Sequence, residues 1–357
     1  MTSYLVLARK YRPATFNDVI GQDNVITQLK HEVLNDKIGH AYLFCGPRGT
    51  GKTSTARILA KTINCRNINR ERCSPCGQCD VCCNTTMTFF ELDAASNNSV
   101  EDIRQLTEEA RMPSPFARYK IFIIDEVHML SSSAFNAFLK TLEEPQERVV
   151  FILATTEANK VPATVTSRCQ TFNFRLIDEK TITQQLEKIF TKEAINYEPG
   201  TLEIIAQQGH GSMRDALSIA DAIIGNTNNT LTIERVKHIL NIVDEDFYIH
   251  LCKYITAGDR KNTILLFEKI YNEGVDCLYF LNGLEQFFMD IFYIKHGIKI
   301  CPDKYKDILE TLNLGTIERN LKLLHEAIID YRNTINKKLH TEIILLQIIN
   351  ATHNEKA

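Results

Sequence analysis

A short glycine-rich segment, GPRGTGKT, occupies positions 46–53 of this chain of 357 residues and narrows the folds that the chain can adopt. It matches the pattern GxxxxGK[ST], in which glycines let backbone N–H groups curl around phosphates. An apolar, β-prone run over 41–45 precedes the segment, and a helical pattern from 52 to about 63 follows it. A strand, a phosphate loop and a helix in this order predict a site for ATP.

Each polar group of the loop has an expected partner on a bound nucleotide. Lys52 is expected to reach the β- and γ-phosphates, and the Thr53 hydroxyl is expected to bind Mg²⁺. The N-terminus of the following helix adds a partial positive charge. The predicted phosphate cradle comprises Gly46, Pro47, Arg48, Gly49, Thr50, Gly51, Lys52, Thr53 and Ser54. A glycine-rich loop that binds nothing is the alternative, which the flanking strand and helix disfavour.

Another predicted strand, over 120–125, ends at the first of two adjacent acidic residues, Asp125 and Glu126. A P-loop ATPase needs a carboxylate at the end of a neighbouring strand to organise Mg²⁺, and Asp125 is the candidate. Glu126 is the candidate general base, which polarises the attacking water. Two adjacent acids could instead cap a helix or carry surface charge, but the phosphate loop favours the catalytic interpretation.

Further candidates for the nucleotide site are less specific on spacing alone. A hydroxyl of Thr155 or Thr156, at the end of a predicted strand over 149–154, can orient water or sense the γ-phosphate. Arg168 and Arg214 each lie near a loop or a helix start, and arginine stabilises the charge of a transferring phosphoryl group. Taken alone, the threonines are also typical of β-strands, and each arginine is typical of a surface ion pair.

Strand and helix patterns alternate through the first half of the chain, which predicts an α/β fold with a parallel sheet and helices on both faces. The remaining predicted elements are strands at 89–93 and 171–174 and helices at about 22–36, 99–111 and 132–142. After about Ile177 the pattern is almost only helical. We therefore expect an α/β core over 1–177, a small helical lid over 178–242 and an all-helical C-terminal domain over 243–357.

Five of the 11 cysteines fall between Cys73 and Cys83. No secretory signal is recognised, because the charges follow the short apolar stretch at the N-terminus, so reduced thiols and a metal site are favoured over disulfides. C-x₂-C knuckles with a more distant ligand at Cys65 fit a structural, tetrahedral Cys₄ zinc site inserted at about 64–84.

A second arrangement of the cysteines remains open. Cys73, Cys76, Cys79 and Cys83 match the C-x₂-C-x₂-C-x₃-C spacing of bacterial ferredoxins. Asn84 stands where those proteins have proline, and no second cluster motif follows. Spacing therefore favours zinc over an iron–sulfur cluster.

Charge and hydropathy exclude some classes of protein. The formal net charge of -3 at pH 7 excludes a generally basic nucleic-acid binder, so any contact with DNA must use a local patch or backbone amides. No apolar run reaches the roughly 18 to 20 residues that cross a bilayer. We expect a cytoplasmic protein without membrane contact.

The residues assembled above resemble one family, the bacterial clamp-loader ATPases, which are the gamma and tau subunits of DNA polymerase III. The resemblance is strong over about 1–240 and depends on several strings in order. These are LARKYRP at 7–13, FNDVIGQ at 16–22, HAYLF at 40–44, LDAAS at 92–96, IDEVHML at 124–130 and KTLEEP at 140–145. The length resembles that of the short gamma form.

The resemblance implies an AAA+ fold, with a RecA-like sheet, a helical lid and a collar domain that assembles a pentameric ring. The implied partners are delta, delta-prime and further gamma copies, the sliding clamp and primer–template DNA. The ring opens the clamp with ATP bound, places it on DNA and releases it on hydrolysis. The implied cofactors are ATP with Mg²⁺, and Zn²⁺.

Roles for individual residues also follow from the resemblance. Thr156 is implied as the first sensor, Arg214 as the second, and Arg168 as the arginine finger that reaches a neighbouring subunit's ATP. The residues implied to frame the adenine and ribose are Arg12 and Pro13, with Val19 to Gly21. The implied zinc ligands are Cys65, Cys76, Cys79 and Cys82, which leaves Cys73 and Cys83 as extra cysteines.

Two other functions are weaker interpretations. One is another AAA+ motor, such as a Holliday-junction helicase, which the cysteine insertion and the string Ser167-Arg168-Cys169 disfavour. The other is a non-catalytic scaffold subunit of a ring, which would lack a working P-loop. Lys52, Thr53, Asp125 and Glu126 are all present.

Overall fold

A computed structural model of the chain describes residues 5–83, 89–112, 117–225 and 230–353. Asn84, which the ferredoxin comparison used, lies outside the described residues. The chain forms two compact units, residues 1–232 and 233–357.

The first unit is built on a five-stranded sheet. Its strands are β1 (Ala41–Cys45), β2 (Phe90–Asp93), β3 (Lys120–Asp125), β4 (Val149–Thr155) and β5 (Gln170–Asn173). They lie in the order β2-β3-β4-β1-β5, and every neighbouring pair is parallel. The predicted parallel sheet is therefore confirmed, and the carboxyl ends of all five strands share one edge.

Helices cover both faces of this sheet, because alternate side chains of a strand point to opposite sides. From β1, Tyr42 and Phe44 enter one apolar core with Leu59, while Leu43 enters another with Phe138. The helices up to β5 are Leu7–Lys10, Asp23–Leu34, Lys52–Asn64, Asp80–Cys83, Val100–Arg111, Ser132–Glu143 and Ala163–Thr166. Short 3₁₀ turns lie at Phe16–Asp18, Val127–Met129 and Ala158–Lys160.

Three helices follow the sheet within the first unit, at Glu179–Lys192, Thr201–Gln208 and Met213–Gly225. A two-stranded parallel ladder, Asn196–Tyr197 with Thr230–Leu231, is a small exception to the helical pattern. The N-terminal helix packs on the third of these helices, where the Leu7 backbone N–H donates to Asp221 at 2.6 Å. The chain segment that precedes the sheet is thereby tied to the helices that follow it.

The second unit is helical throughout its described residues, 233–353. Its helices are Ile233–Ile239, Glu245–Ala257, Arg260–Asn272, Cys277–Lys295, Lys306–Thr311, Leu314–Asp330 and Lys337–His353, with 3₁₀ turns at Asp303–Tyr305 and Tyr331–Asn333. Phe280, Phe288, Leu324 and Leu345 are fully buried in its core. Among the described residues of either unit, none of the helices combines the length and apolar character needed to span a bilayer.

A candidate nucleotide site and a candidate metal centre

The loop between β1 and the helix Lys52–Asn64 requires glycine at positions where the backbone approaches other parts of the chain. Gly46 and Gly49 have φ angles of 146° and 76°. A Cβ at Gly46 would lie 2.3 Å from the carbonyl oxygen of Phe174, and a Cβ at Gly49 would lie 1.8 Å from Ser212 Oγ. The loop is therefore held tightly in its curled conformation, which any larger residue at these positions would disrupt.

Lys52 folds back over this loop. Its Nζ donates to the carbonyl oxygens of Gly46 and Pro47, at 2.7 and 2.8 Å. The side chain is buried, and burial lowers the pKa of Lys52, while the nearby carboxyl groups of Glu126 and Asp125 oppose that shift. The ammonium thus lies where the oxygens of a polyphosphate can replace the two carbonyls as acceptors.

Thr53 and Asp125 meet although 72 positions separate them in the chain. The Thr53 hydroxyl donates to Asp125 Oδ2 at 2.8 Å. Burial raises the pKa of Asp125, and hydrogen bonds from Thr53 and from the Glu126 backbone counter that rise. A hydroxyl and a carboxylate side by side are the oxygen ligands that Mg²⁺ prefers, so this pair fits a magnesium site.

Glu126 follows β3 with an unusual backbone, since its φ of 49° is left-handed. Its carboxylate accepts a hydrogen bond from the Thr156 hydroxyl at 3.0 Å. Thr156 immediately follows β4, the strand next to β3. The sheet therefore brings together Glu126 and Thr156, which were predicted independently from the sequence as site residues.

A cavity of about 510 Å³ opens over the phosphate loop. That volume suits a nucleotide-sized ligand. The predicted residues that line it are Arg12, Pro13, Val19, Ile20, Arg48 to Ser54, Asp125, Glu126 and Arg214. Most of the predicted nucleotide set is thus gathered around one cavity.

The other predicted residues lie outside the lining. Gly46 and Pro47 supply the carbonyls that Lys52 contacts, and Thr156 contacts Glu126. Gly21 packs against Ile177, where a Cβ would lie 3.0 Å from that side chain.

Arg168 is likewise not part of the lining. It follows the short helix Ala163–Thr166, and its guanidinium donates to Glu143 and to the carbonyl oxygen of Thr164, both at 2.7 Å. Its side chain is about one-third exposed, at 34%. Arg168 is therefore held in place away from the cavity of its own chain.

Several residues at the cavity were not predicted from the sequence. Arg57 lies one helical turn after Thr53 and pairs with Glu91, at 2.5 Å between Nη2 and Oε1. Both line the cavity, as does Asp93 at the end of β2. Helical spacing could have identified Arg57, since residues four apart share a face. The shared carboxyl edge of parallel strands could have identified Asp93.

Gln22 was also missed, because its contacts are distant in the sequence. Its amide donates to the carbonyl oxygen of Arg175 at 2.7 Å and accepts from the Arg175 backbone N–H at 3.0 Å. The same amide nitrogen is 3.4 Å from the carbonyl oxygen of Thr50. A buried side chain thus braces the phosphate loop against the segment after β5.

A group of four thiols forms the candidate metal centre. The sulfur atoms of Cys65, Cys76, Cys79 and Cys82 all lie within 4.8 Å of one another. Backbone N–H groups donate to two of them, from Cys76 to Cys65 Sγ at 3.2 Å and from Cys79 to Cys76 Sγ at 3.3 Å. Hydrogen bonds from these N–H groups stabilise the deprotonated form of the thiols and orient the sulfur atoms. The four sulfur atoms therefore fit a metal ion that takes four sulfur ligands.

The other two cysteines of this segment lie outside the group of four. Cys73 is buried in the apolar core with a φ of 46°, and its thiol donates to the carbonyl oxygen of Lys30 at 3.8 Å. Cys83 is exposed, and its thiol donates to the carbonyl oxygen of Gly77 at 3.7 Å. The arrangement therefore differs from the one that the ferredoxin spacing requires.

Comparisons with known families match the chain along its length. A family described as DNA polymerase III, delta subunit, matches residues 21–178. The ATPase lid domain of the DNA polymerase III clamp loader subunit matches 181–229, and domain III of DNA polymerase III subunits gamma and tau matches 231–356.

Individual relatives include DNA polymerase III subunit gamma of Buchnera aphidicola, 35% identical over 98% of this chain and 99% of its own length. Subunit tau of Bacillus subtilis is 36% identical over 99% of this chain and 65% of its own length. Subunit tau of Escherichia coli is 42% identical over 77% of this chain and 43% of its own length. The chain thus spans nearly all of one relative and about two-thirds or less of the other two.

Solved structures of similar fold include the RuvB Holliday junction branch migration motor of Thermotoga maritima. The TM-score is 0.50 with 19% sequence identity, over 69% of this chain and 79% of that protein. At this identity the likeness concerns the fold alone. The identity to the gamma subunit over nearly the whole of both chains is decisive, and the chain belongs to the gamma and tau family of DNA polymerase III clamp-loader subunits.

Proposed function

We propose that this chain is the ATPase subunit of the bacterial replicative clamp loader. It binds and hydrolyses ATP to open the sliding clamp, to place it on primer–template DNA and to release it. The observation that carries this proposal is the set of hydrolytic groups at the phosphate loop, where Thr53 contacts Asp125 and Thr156 contacts Glu126. These contacts favour an active subunit over a non-catalytic scaffold.

The residues at the cavity divide the work of ATP hydrolysis. The loop residues Arg48 to Ser54 hold the phosphates, with Lys52 Nζ as the cation among them. Thr53 and Asp125 are the residues that would hold Mg²⁺. When bound, Mg²⁺ neutralises the charge that develops on the phosphates. Glu126 accepts the proton of the attacking water, and Thr156 orients the Glu126 carboxylate.

The remaining residues position the nucleotide and contact its base, ribose and phosphates. Arg12, Pro13, Val19 and Ile20, which line the cavity, frame the base and the ribose together with the adjacent Gly21. Arg214 binds phosphate from the lid. We assign the ATPase core to 1–177, the lid to 178–242 and an oligomerising collar to 243–357. Further gamma copies, delta and delta-prime complete a ring, in which Arg168 reaches the ATP of a neighbouring subunit.

Replacing Arg168 by Ala should spare ATP binding and slow hydrolysis only in the assembled complex. The reason is that Arg168 does not line the cavity of its own chain and is held by Glu143 on its surface. We expect a fall in the turnover number of at least about 100-fold, measured with the clamp and primed DNA present. An equal relative loss in the isolated subunit would contradict the role in trans.

We further propose that the four clustered thiols bind one Zn²⁺ with a structural role. Four thiolates close a tetrahedral shell and leave no position for substrate, so the ion orders the segment that contains them. Zinc fits better than an iron–sulfur cluster because Cys65 and Cys82 are among the four, and Cys73 and Cys83 are not.

Cys79→Ser should remove zinc and lower the melting temperature, because it deletes one ligand of a closed shell. Cys83→Ser is the matched control, since Cys83 is exposed and outside the group of four. Metal analysis should give about one zinc per chain for the wild type and for Cys83→Ser. A brown protein that contains iron, or zinc retained in full by Cys79→Ser, would contradict the assignment.

Clamp loading itself is tested by reconstitution with the delta and delta-prime subunits, the clamp and primed DNA. The proposal predicts that labelled clamp is transferred to DNA only when ATP is supplied. Transfer that does not depend on ATP, or none in a correctly assembled complex, would refute it.

A further inference from the structure

His128 occupies a position that the proposed function does not use. It lies in the turn Val127–Met129 after β3, and its side chain is only 7% exposed. One ring nitrogen, Nδ1, is 3.4 Å from Glu126 Oε2 and 3.1 Å from the hydroxyl oxygen of Thr155. The other, Nε2, is 3.4 Å from Glu157 Oε1. A buried imidazole therefore lies between two carboxylates, one of which belongs to the proposed base.

The two carboxylates differ in how their charge is compensated. Glu157 is 42% exposed and pairs with Lys160 at 2.9 Å, and this pairing lowers the pKa of Glu157. Glu126 instead faces the cavity, with a hydrogen bond from the Thr156 hydroxyl. An Nδ1 without hydrogen would direct its lone pair at the Glu126 oxygen, which is repulsive. The same repulsion arises between a bare Nε2 and Glu157 Oε1, but Glu157 is partly exposed and paired with Lys160, so it can turn toward solvent. The favourable tautomer therefore has its N–H on Nδ1.

We propose that His128 is a positioning residue for ATP hydrolysis, which holds the Glu126 carboxylate at the cavity through an Nδ1–H donor. This inference rests on the proposed function, in which Glu126 is the base. Donors from two elements then surround Glu126 Oε2. They are the Thr156 hydroxyl and backbone N–H after β4, at 3.0 and 3.4 Å, and the His128 ring after β3, at 3.4 Å. A base held on two sides keeps its alignment toward the attacking water without contributing to nucleotide affinity.

Two substitutions test the roles of the two ring nitrogens separately. In His128→Asn the amide nitrogen takes the place of Nδ1, whereas in His128→Gln it takes the place of Nε2. We expect kcat of the assembled complex, with clamp and primed DNA, to fall about tenfold in His128→Gln and to stay within about threefold of wild type in His128→Asn. The affinity for a fluorescent ATP analogue should be unchanged in both.

A double substitution tests whether the effect passes through Glu126. In a Glu126→Gln background, His128→Gln should lower the residual turnover no further, because the group that it positions is already gone. Melting temperatures establish that each variant is folded, and His128→Leu, which has no donor, replaces His128→Gln if the latter does not fold.

The inference is overturned if the Asn and Gln variants have equal kcat values. It is also overturned if His128→Gln turns over faster than the wild type, or if His128→Gln loses ATP affinity instead of kcat. A wild-type complex that is correctly assembled but inert would refute the proposed function as well. An active wild type with matching Asn and Gln variants would refute the role of His128 alone.

Discussion

Glu126→Gln is expected to lower ATP turnover by the assembled clamp loader by at least about 100-fold, because an amide cannot take a proton from the attacking water. ATP binding should persist, since Lys52 and Thr53, which contact the phosphates in our account, remain in place. The measurement is single-turnover hydrolysis of ATP by the complex, paired with the affinity for a fluorescent ATP analogue.

Glu144→Gln serves as the matched control for this substitution. Glu144 is also a glutamate of the core, but it is exposed beyond the end of the helix Ser132–Glu143 and does not line the cavity. The Glu144→Gln variant should hydrolyse ATP at the wild-type rate. If Glu126→Gln retained wild-type turnover, another group would have to be the base.

Lys52→Ala is expected to weaken ATP binding by at least about 100-fold, because it deletes the buried cation that faces the phosphates. In the structure this ammonium donates to two backbone carbonyls of the same loop, so the fold should survive its loss. Binding is measured by titration with a fluorescent ATP analogue, and folding by circular dichroism and the melting temperature.

Lys61→Ala is the control for Lys52→Ala. Lys61 lies on the same helix, Lys52–Asn64, but does not line the nucleotide cavity. Its replacement should leave ATP affinity unchanged. Tight ATP binding by Lys52→Ala would show that the nucleotide site lies elsewhere.

Local sequence was enough to predict the elements that form the site. β1 and β3 are buried almost throughout, so they are continuous apolar runs whose ends could be read directly. The order of the strands could not be predicted, because it depends on contacts between distant segments. That order places β4 beside β3 and so brings Thr156 to Glu126.

The cysteine segment shows where spacing stops being informative. Two sets of four cysteines were compatible with known metal sites, and each contained Cys76 and Cys79. The choice depends on Cys73, whose left-handed backbone directs its thiol into the core, toward Lys30 on the helix Asp23–Leu34. No local pattern encodes that direction. The same holds for Gln22, whose partner Arg175 is 153 positions away.

The central claim is that Glu126 and the phosphate loop hydrolyse ATP as part of clamp loading. Its most direct test is steady-state ATP turnover by the reconstituted complex, with and without the clamp and primed DNA, for the wild type and Glu126→Gln. We expect clamp and primed DNA together to stimulate ATP turnover by the wild type, and Glu126→Gln to show no stimulated turnover. Turnover that is indifferent to clamp and DNA, or that survives in Glu126→Gln, would contradict it.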